Sequence, residues 1–354
     1  MDLQAARHRI DELDEQIVEL LQQRAHVAEQ IGRIKASSGT PVYDPAREAQ
    51  LLDRLSADTS GPLPPQALRA VYRQLISACR NLQRPVRAAY LGPAYTFSHM
   101  AAVTQFGETA ELLPALSIEE VFAAVERDAA DCGIVPVENS IQGVEARTLD
   151  CLFESPLSVC AETYIPVHLQ LVAGCPLDDV RTVHSHPQPL GQSRGWLRAN
   201  LPAAELVHES STSAAAAAVA DLPGHAAVAT VAAADAYGLE VIASDIEDLP
   251  DNRTRFLVIA RDPAGPSGRD KTSVIFVTEH QAGALYRALA PFSAHGISLT
   301  LIQSRPARGA VAGPYYFYVD FDGHAAAVNV GEAIKALREQ CSLVKVLGSY
   351  PATG

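Results

Sequence analysis

The sequence predicts a multi-domain protein of mixed class: all-helical over residues 1–86, α/β over 87–262 and α+β over 271–354. Three observations carry that division. Apolar residues recur at helical spacing, with no strand signal, through the N-terminal segment. From Arg87 to Ala260 short apolar strands alternate with helices. Beyond the proline- and glycine-rich stretch from Arg261 to Asp270 the order becomes strand, helix, strand, strand, helix, strand, the pattern of a ferredoxin-like βαββαβ unit.

With 354 residues, 48% of them hydrophobic and 19% charged, the chain can build two or three real cores. Its net charge of -13 argues against nucleic acid or an anionic membrane as partner. No apolar run approaches the ~18 residues of a membrane span, and no apolar signal region follows Met1-Asp2-Leu3-Gln4. Cys79, Cys132, Cys151, Cys160, Cys175 and Cys341 form no C-x-x-C pair. In a chain this size that pattern favours reduced thiols in the cytoplasm over disulfides or a zinc site. Neither G-x-G-x-x-G nor G-x-x-x-x-G-K-[ST] occurs, so no nucleotide cofactor is implied, and no other cofactor or metal is expected.

In the first segment Ile10, Leu13, Ile17, Leu20, Leu21, Val27, Ala28 and Ile31 repeat at three- and four-residue intervals. Ser37-Ser38-Gly39-Thr40-Pro41 breaks this helix after roughly ten turns. A second helix covers Pro45 to Leu55. A third starts near Pro64-Pro65, runs through Val71, Leu75, Ile76 and Leu82, and ends at Pro85. Arg24 and Lys35 lie eleven residues apart on the first helix, so they share a face at roughly 16 Å and can converge on a small dianion. Arg7 precedes Arg24 by about 25 Å of helix, well off that face. It can serve only a partner's site, which predicts a homodimer or higher oligomer with shared sites. Asp44, Arg47 and Glu48 form one polar patch at the start of the second helix, and Gln83 ends the third.

The α/β segment opens with the strand Ala88–Gly92 and a helix capped by Thr96 or Ser98. Ser117-Ile118-Glu119-Glu120 is a capping box before another helix. In the run Gly133–Gly143 an apolar strand ends by presenting Glu138, Asn139 and Ser140 in succession. A second polar cluster, Asp251-Asn252-Arg253-Thr254-Arg255-Phe256, abuts the strand Phe256–Ala260. Polar groups gathered at strand ends are where α/β sheets bind ligands, and two clusters suggest one cleft. In the last segment Thr272–Thr278, Ile297–Gln303, Tyr315–Phe321 and Leu343–Leu347 read as strands. Ala282–His295 and Val328–Gln340 read as helices.

The segment from Arg7 through Arg47-Glu48 to Leu82-Gln83 resembles the all-helical chorismate mutase domain. The resemblance implies that Arg7 from the partner, Arg24 and Arg47 hold the carboxylates of chorismate. Lys35 and Gln83 would hydrogen-bond the ether oxygen, and Asp44 and Glu48 the ring hydroxyl. The rearrangement is pericyclic, so catalysis would be conformational trapping plus electrostatic stabilisation of the breaking ether bond. Cys79 stands where the family usually has serine, which weakens a carboxylate contact or leaves it to a backbone amide.

Residues 87–262 resemble prephenate dehydratases along their length. Leu91-Gly92-Pro93, Thr96-Phe97-Ser98, Val135-Pro136-Val137-Glu138-Asn139-Ser140, Ser185-His186-Pro187-Gln188 with Gln192 and Trp196, Ser211-Thr212-Ser213 and Thr254-Arg255-Phe256 match in order and spacing. The resemblance implies two lobes like those of periplasmic-binding-protein folds. Free N–H groups at Thr96, Ser98 and Ser211–Ser213 would hold the two carboxylates of prephenate. Thr254 matches the family's essential residue, placed to donate to or orient the departing hydroxyl. Glu138 is the second candidate proton donor. Asn139, Ser140, Arg255 and Phe256 complete the expected substrate-binding set, and His186, next to Pro187, reads as structural. The chain departs from the family at Tyr95, where glycine is common.

Gly283-Ala284-Leu285-Tyr286 and Gln303-Ser304-Arg305-Pro306 resemble the two effector motifs of ACT-type regulatory domains, which implies inhibition by phenylalanine bound at a dimer interface. Glutamate is usual at Gln303, and an amide cannot ion-pair with the effector's ammonium. The alternative is a dimerisation domain without effector binding. The whole reads as a bifunctional chorismate mutase–prephenate dehydratase. Two rivals stay open: an inactive mutase half because of Cys79, and a non-enzymatic amino-acid sensor, which would have no need of the Thr254 hydroxyl. The absence of a nucleotide-binding glycine loop disfavours fusion to the dehydrogenase of the tyrosine branch.

Overall fold

The computed structural model describes residues 2–57, 61–279, 281–306 and 315–353. Helix α1 (Leu3–Ser38) starts at Asp2, whose carboxylate accepts the Ala5 N–H at 2.8 Å, and stops at Gly39 with φ of 67°, a left-handed residue that ends helices. It is about 54 Å long, and only Ala28 and Gly32 are buried along it. Helix α3 (Pro65–Gln83) packs against it, and α2 (Pro45–Ala57) packs on α3. Gly32 permits the closest crossing, because a Cβ there would lie 2.8 Å from Gln83. Leu3, Ile10, Leu13, Ile17, Leu20 and Leu21 stay exposed, so the apolar stripe read from the sequence finds no partner among the described residues along the N-terminal half.

The α/β segment contributes β1 (Arg87–Leu91), α4 (Phe97–Phe106), β2 (Glu111–Ala115), α5 (Ile118–Glu126), β3 (Cys132–Asn139), β4 (Gly143–Val144), α6 (Ala146–Glu154) and β5 (Ser158–Pro166) to a first lobe. The chain then builds a second lobe from β6 (Gln170–Ala173), β7 (Thr182–Ser185), α7 (Pro187–Gln192), α8 (Arg194–Asn200), β8 (Glu205–His208), α9 (Thr212–Val219), β9 (His225–Ala229), α10 (Val231–Tyr237) and β10 (Glu240–Ala243). It returns to the first lobe through β11 (Arg253–Ala260). The first sheet has the order β2-β1-β3-β11-β5, with β4 beside β3, and the second β10-β6-β9-β7-β8. Strand β11 runs antiparallel between β3 and β5. The strand that closes the first lobe therefore arrives after the second is complete.

The last segment consists of β12 (Asp270–Val277), α11 (Ala284–Ala294), β13 (Leu299–Pro306), β14 (Tyr315–Asp322), α12 (Val328–Gln340) and β15 (Leu343–Pro351), in the sheet order β13-β14-β12-β15. The βαββαβ order matches the expectation, with two extensions. Strand β12 begins at Asp270, read as the end of the linker, and at Lys271, read as lying just before the strand, because the Lys271 ammonium pairs with buried Glu162 of β5. Strand β15 continues past Leu347 because a register shift against β12 at Ser273/Val274 lets pairing resume through Ser349 and Tyr350.

One face of the first sheet packs α4 through Ala101, Ala102 and Phe106 against Ile134, Phe256 and Val258. The other face carries α5, α6 and the C-terminal sheet, whose Ile275, Tyr316, Tyr318, Leu347 and Tyr350 join Val135, Leu257 and Ile259 in a single core. Lys345 of β15 reinforces the seam by donating to the carbonyls of Leu152, Phe153 and Ser155 at the end of α6. Gly348 is where β15 comes closest, since a Cβ there would overlap the Val159 carbonyl oxygen. A Gly348→Ala variant must push the two sheets apart. It should lose about 1–3 kcal/mol, read as a lower urea midpoint, with the shared core unfolding first in hydrogen exchange.

Candidate active sites

The two polar clusters meet where the lobes join. Pairing of β3 with β11 sets Asn139 opposite Thr254. The Asn139 Nδ2 donates to Thr254 Oγ1 at 3.0 Å and to Asn252 Oδ1 at 2.9 Å. Its Oδ1 accepts the N–H groups of Ile141 and Gln142, both at 3.1 Å, which fixes the amide's orientation. With a lone pair of Oγ1 engaged by the amide, the Thr254 hydroxyl keeps its hydrogen for another acceptor. The Val167 N–H, at the crossing into the second lobe, donates to the Asn252 carbonyl at 2.8 Å.

Thr254 and Asn139 line a cleft of about 220 Å³ together with Thr96, Ser98, His186, Gln188, Gln192, Ser211 and Thr212. Two helices aim their N-termini into it. Thr96 caps α4 by accepting from His99 N at 3.4 Å, and Ser211 caps α9 by accepting from Ala214 N at 3.0 Å. Each helix start presents unpaired N–H groups and the positive end of a dipole, the arrangement that binds carboxylates. The Gln192 Nε2 is buried beside them with no protein partner among the described residues. His186 also lines the cleft, capping α7 by accepting from Gln188 N at 3.3 Å. Burial, with His208 nearby, holds its imidazole below the usual histidine range. The structural role read for His186 is present, but it does not exhaust its position.

Four expectations do not survive. Glu138 faces away from the cleft. Strand β3 carries one extra residue between Pro136 and Glu138 against β11, so Glu138 falls opposite Arg255 and Asn139 takes the cleft side. Arg255 is buried on that far face, bonded to Glu162, Asp320 and Tyr350. Phe256 is a core residue, 1% exposed and packed with Ile134 and Phe106. Ser140 is outside the lining as well. Its hydroxyl donates to Asn252 Oδ1 and accepts from Arg253 N, bracing the loop.

Tyr95 adopts φ of 67° in the loop before α4, a conformation that favours glycine. Its carbonyl accepts from Thr230 Oγ1 at 2.8 Å, and its ring packs edge-on to Tyr237 of the second lobe. The side chain that strains the loop also ties it across the cleft.

In the helical domain Lys35, Asp44 and Gln83 line one large cavity of about 940 Å³ that extends to Val86, Cys160 and Arg261 of the neighbouring domain. Lys35 Nζ donates to the carbonyls of Pro41 and Val42 at 2.9 and 3.0 Å. Burial pulls its pKa below the usual lysine range, while Asp44 and Glu48 oppose that shift. Asp44 caps α2 by accepting from Arg47 N at 3.0 Å, and the Arg47 side chain is exposed. The Arg24 Nη1 and Gln83 Oε1 are buried without a partner among the described residues. Cys79 is buried at 5% exposure, and Arg7 is exposed on the free half of α1.

Glu48 is engaged by a residue the sequence reading overlooked. Arg80, 3% exposed, bonds Glu48 Oε1 at 2.7 Å through Nη1 and the Phe106 carbonyl at 2.7 Å through Nη2, with its guanidinium over Tyr43. Burial raises the Glu48 pKa, and Arg80 works against that shift. The available signal was a charge at an inward position of α3, one turn from Ile76 and beside Cys79. Among the described residues one imidazole–carboxylate cluster could hold a metal ion, His168 with Asp245 and Glu247, and it lies outside both linings.

Residues 6–84 match the family model of chorismate mutase type II, and residues 88–264 that of prephenate dehydratase. The bifunctional chorismate mutase/prephenate dehydratase of Aquifex aeolicus is 42% identical over 99% of this chain and 98% of its own length. This chain belongs to the bifunctional chorismate mutase/prephenate dehydratase family. The Pseudomonas aeruginosa enzyme of that name is 38% identical over 99% of this chain and 97% of its own. The prephenate dehydratase of Arthrobacter aurescens, solved in complex with L-Phe, superposes with a TM-score of 0.70 at 34% identity, over 75% of this chain and 90% of its own. A chorismate mutase/prephenate dehydratase carries out two reactions of phenylalanine biosynthesis, so the helical cavity and the interlobe cleft are two active-site candidates in one chain.

The junction between them generates a test. An Arg80→Met variant strips the Glu48 carboxylate and the Phe106 carbonyl of their shared donor. It should cost about 3 kcal/mol of stability, seen as a lower urea midpoint for the helical signal.

Proposed function

We propose that prephenate binds between the lobes with its two carboxylates on the N-termini of α4, at Thr96 and Ser98, and of α9, at Ser211 and Thr212. The Thr254 hydroxyl then points at the ring hydroxyl that must leave. The observation that carries this reading is the 3.0 Å bond from Asn139 to Thr254 Oγ1. It uses the amide as donor, so the threonine hydrogen is directed to the substrate. As the ring C–O bond breaks, Thr254 passes its hydroxyl proton to the departing oxygen, which leaves as water, and the threonine regains a proton from solvent. Loss of one carboxylate as carbon dioxide gives phenylpyruvate. The Gln192 amide is a further donor for a carboxylate. Glu138 has no part in this scheme, because it faces the other side of the sheet.

In the helical domain Lys35 and Gln83 take the chorismate ether oxygen, and Arg24 and Arg47 its carboxylates. Asp44 positions the lysine and, with Glu48 on Arg80, the ring hydroxyl. Cys79 contributes packing. The uncovered stripe on α1 supports a homodimer in which a second copy lies along it and the partner's arginine at position 7 completes the site. The C-terminal βαββαβ unit is read as an ACT domain that lowers dehydratase activity when phenylalanine binds between two copies. Gly283 supports this reading, since its φ of 79° at the start of α11 suits a turn closing on a small ligand; Ala284 and Leu285 from that turn and Gln303, Ser304 and Pro306 from β13 complete the proposed effector set. Arg305 already reaches Asp150 of α6 at 3.4 Å. Six cysteines without a disulfide among the described residues agree with a cytoplasmic enzyme.

Purified protein given chorismate without cofactors should form prephenate and then phenylpyruvate. Thr254→Ala should stop the second step, lowering its kcat about 10²–10³-fold, with mutase turnover intact. Accumulation of phenylpyruvate at the wild-type rate would sink the dehydratase mechanism.

The mutase pH profile offers a separate check. Lys35 must be charged to donate, so activity should fall as pH rises through its lowered pKa, below the range of an ordinary lysine. Because Asp44 raises that pKa, Asp44→Asn should move the alkaline limb to still lower pH. An unmoved limb would take Lys35 out of the reaction.

A further inference from the structure

The far face of the catalytic strand carries a buried four-charge cluster that nothing in the dehydratase chemistry calls for. Arg255 Nε donates to Glu162 Oε2 at 2.8 Å, Nη1 to Asp320 Oδ2 at 2.5 Å and Nη2 to the Tyr350 hydroxyl at 2.9 Å. Lys271 Nζ bonds both oxygens of Glu162, at 2.9 and 3.0 Å. Ser273 Oγ donates to Asp320 Oδ1 at 2.5 Å and meets the Tyr350 hydroxyl at 2.6 Å. Arg255 and Glu162 belong to the first lobe, whereas Asp320, Lys271, Ser273 and Tyr350 come from the C-terminal sheet. The two cations and two carboxylates balance, and the Arg255, Glu162 and Asp320 side chains are at most 3% exposed. Such a cluster is geometrically demanding, because each charge is costly unless every partner is in place.

Its location gives it a consequence. Arg255 directly follows Thr254, and the register shift between β11 and β3 falls between Arg255 and Phe256. That shift makes Asn139, rather than Glu138, the neighbour of Thr254. If the bulge were lost and Val137 paired with Arg255 in continuous register, Glu138 would fall opposite Thr254, since a one-residue slip exchanges the faces of a strand. Glu162 holds Arg255 to the adjacent strand and Asp320 holds it across the layer, so the guanidinium is pinned from two directions at the point where the register changes.

We propose that Arg255 is a positioning residue for dehydration and Asp320 its anchor. The C-terminal domain thereby forms part of the dehydratase machinery, holding the β3–β11 register that hands the Thr254 hydroxyl to Asn139. The inference rests on the reading of Thr254 as the residue acting at the prephenate hydroxyl. It adds a route by which displacement of the C-terminal sheet changes turnover without touching the substrate.

The test uses the full chain, whose mutase activity reports folding in the same sample. Arg255→Lys and Asp320→Asn should each lower kcat for prephenate about 10²-fold, the scale of a misplacement near 1 Å, with KM within about threefold and mutase turnover within about twofold. A single variant leaves the buried charges unbalanced and can simply unfold. The double variant Arg255→Met/Asp320→Asn removes one charge of each sign and leaves the Lys271–Glu162 pair, so thermal stability should return towards wild type while dehydratase kcat stays low. Recovery of both the melting temperature and kcat in the double variant would reduce the cluster to a structural role and overturn the proposal. So would a wild-type kcat in the folded single variants. Full turnover by Thr254→Ala would instead remove the reading of Thr254, with the Arg255 variants still reporting whether the register matters.

Discussion

The antiparallel pairing of β3 with β11 is the contact on which the rest of the molecule depends. It joins residues 115 positions apart in the chain, closes the first lobe around the second and sets Asn139 beside Thr254. Neither strand end makes a site alone. Asn139 without Thr254 is an amide bracing a loop, and Thr254 without Asn139 has no fixed direction for its hydrogen. Backbone pairing supplies what side-chain chemistry cannot, because hydrogen-bonded strands hold opposing residues to within fractions of an ångström.

The domains are joined by polar contacts aimed at functional elements rather than by a flexible tether. Arg80 fastens the helical domain to the Phe106 carbonyl at the last turn of α4, and the first turn of the same helix carries Thr96 and Ser98 into the interlobe cleft. On the opposite face the C-terminal sheet shares its apolar core with β3 and β11. The dehydratase lobe is thus held from two sides, and both holds end on elements that line its cleft.

Much of this was legible in the sequence because the signals were local. Helical spacing gave α1, and Ser37–Pro41 gave its end. The βαββαβ order was readable from apolar runs and turns. The pairing of two polar strand ends into one cleft was readable because each abutted an apolar strand. What escaped depended on registry between distant strands. Glu138, Arg255 and Phe256 sit in motifs next to cleft residues, yet strand alternation and one extra residue in β3 turn Glu138 and Arg255 away, while Phe256 shares the face of Thr254 but is buried beneath α4. Arg80 escaped for a related reason. A lone arginine on a helix reads as solvated surface until the docking of α4 supplies the carbonyl it caps. Lys271 was left outside the first strand of the C-terminal unit because its partner, Glu162, lies 109 residues earlier.

The late arrival of β11 has a meaning for how the protein is made. During synthesis β1, β3 and β5 leave the ribosome with a gap where their central partner belongs. The whole second lobe must then emerge before that strand exists, on the order of 10 s at bacterial elongation rates of about 5–20 residues per second. Through that interval β3 and β5 present unpaired edges, the feature most prone to pairing with the wrong chain. The helical domain is complete well before then. A nascent chain therefore carries a finished mutase fold ahead of a half-built dehydratase, and the exposure of those edges is set by the pace of translation.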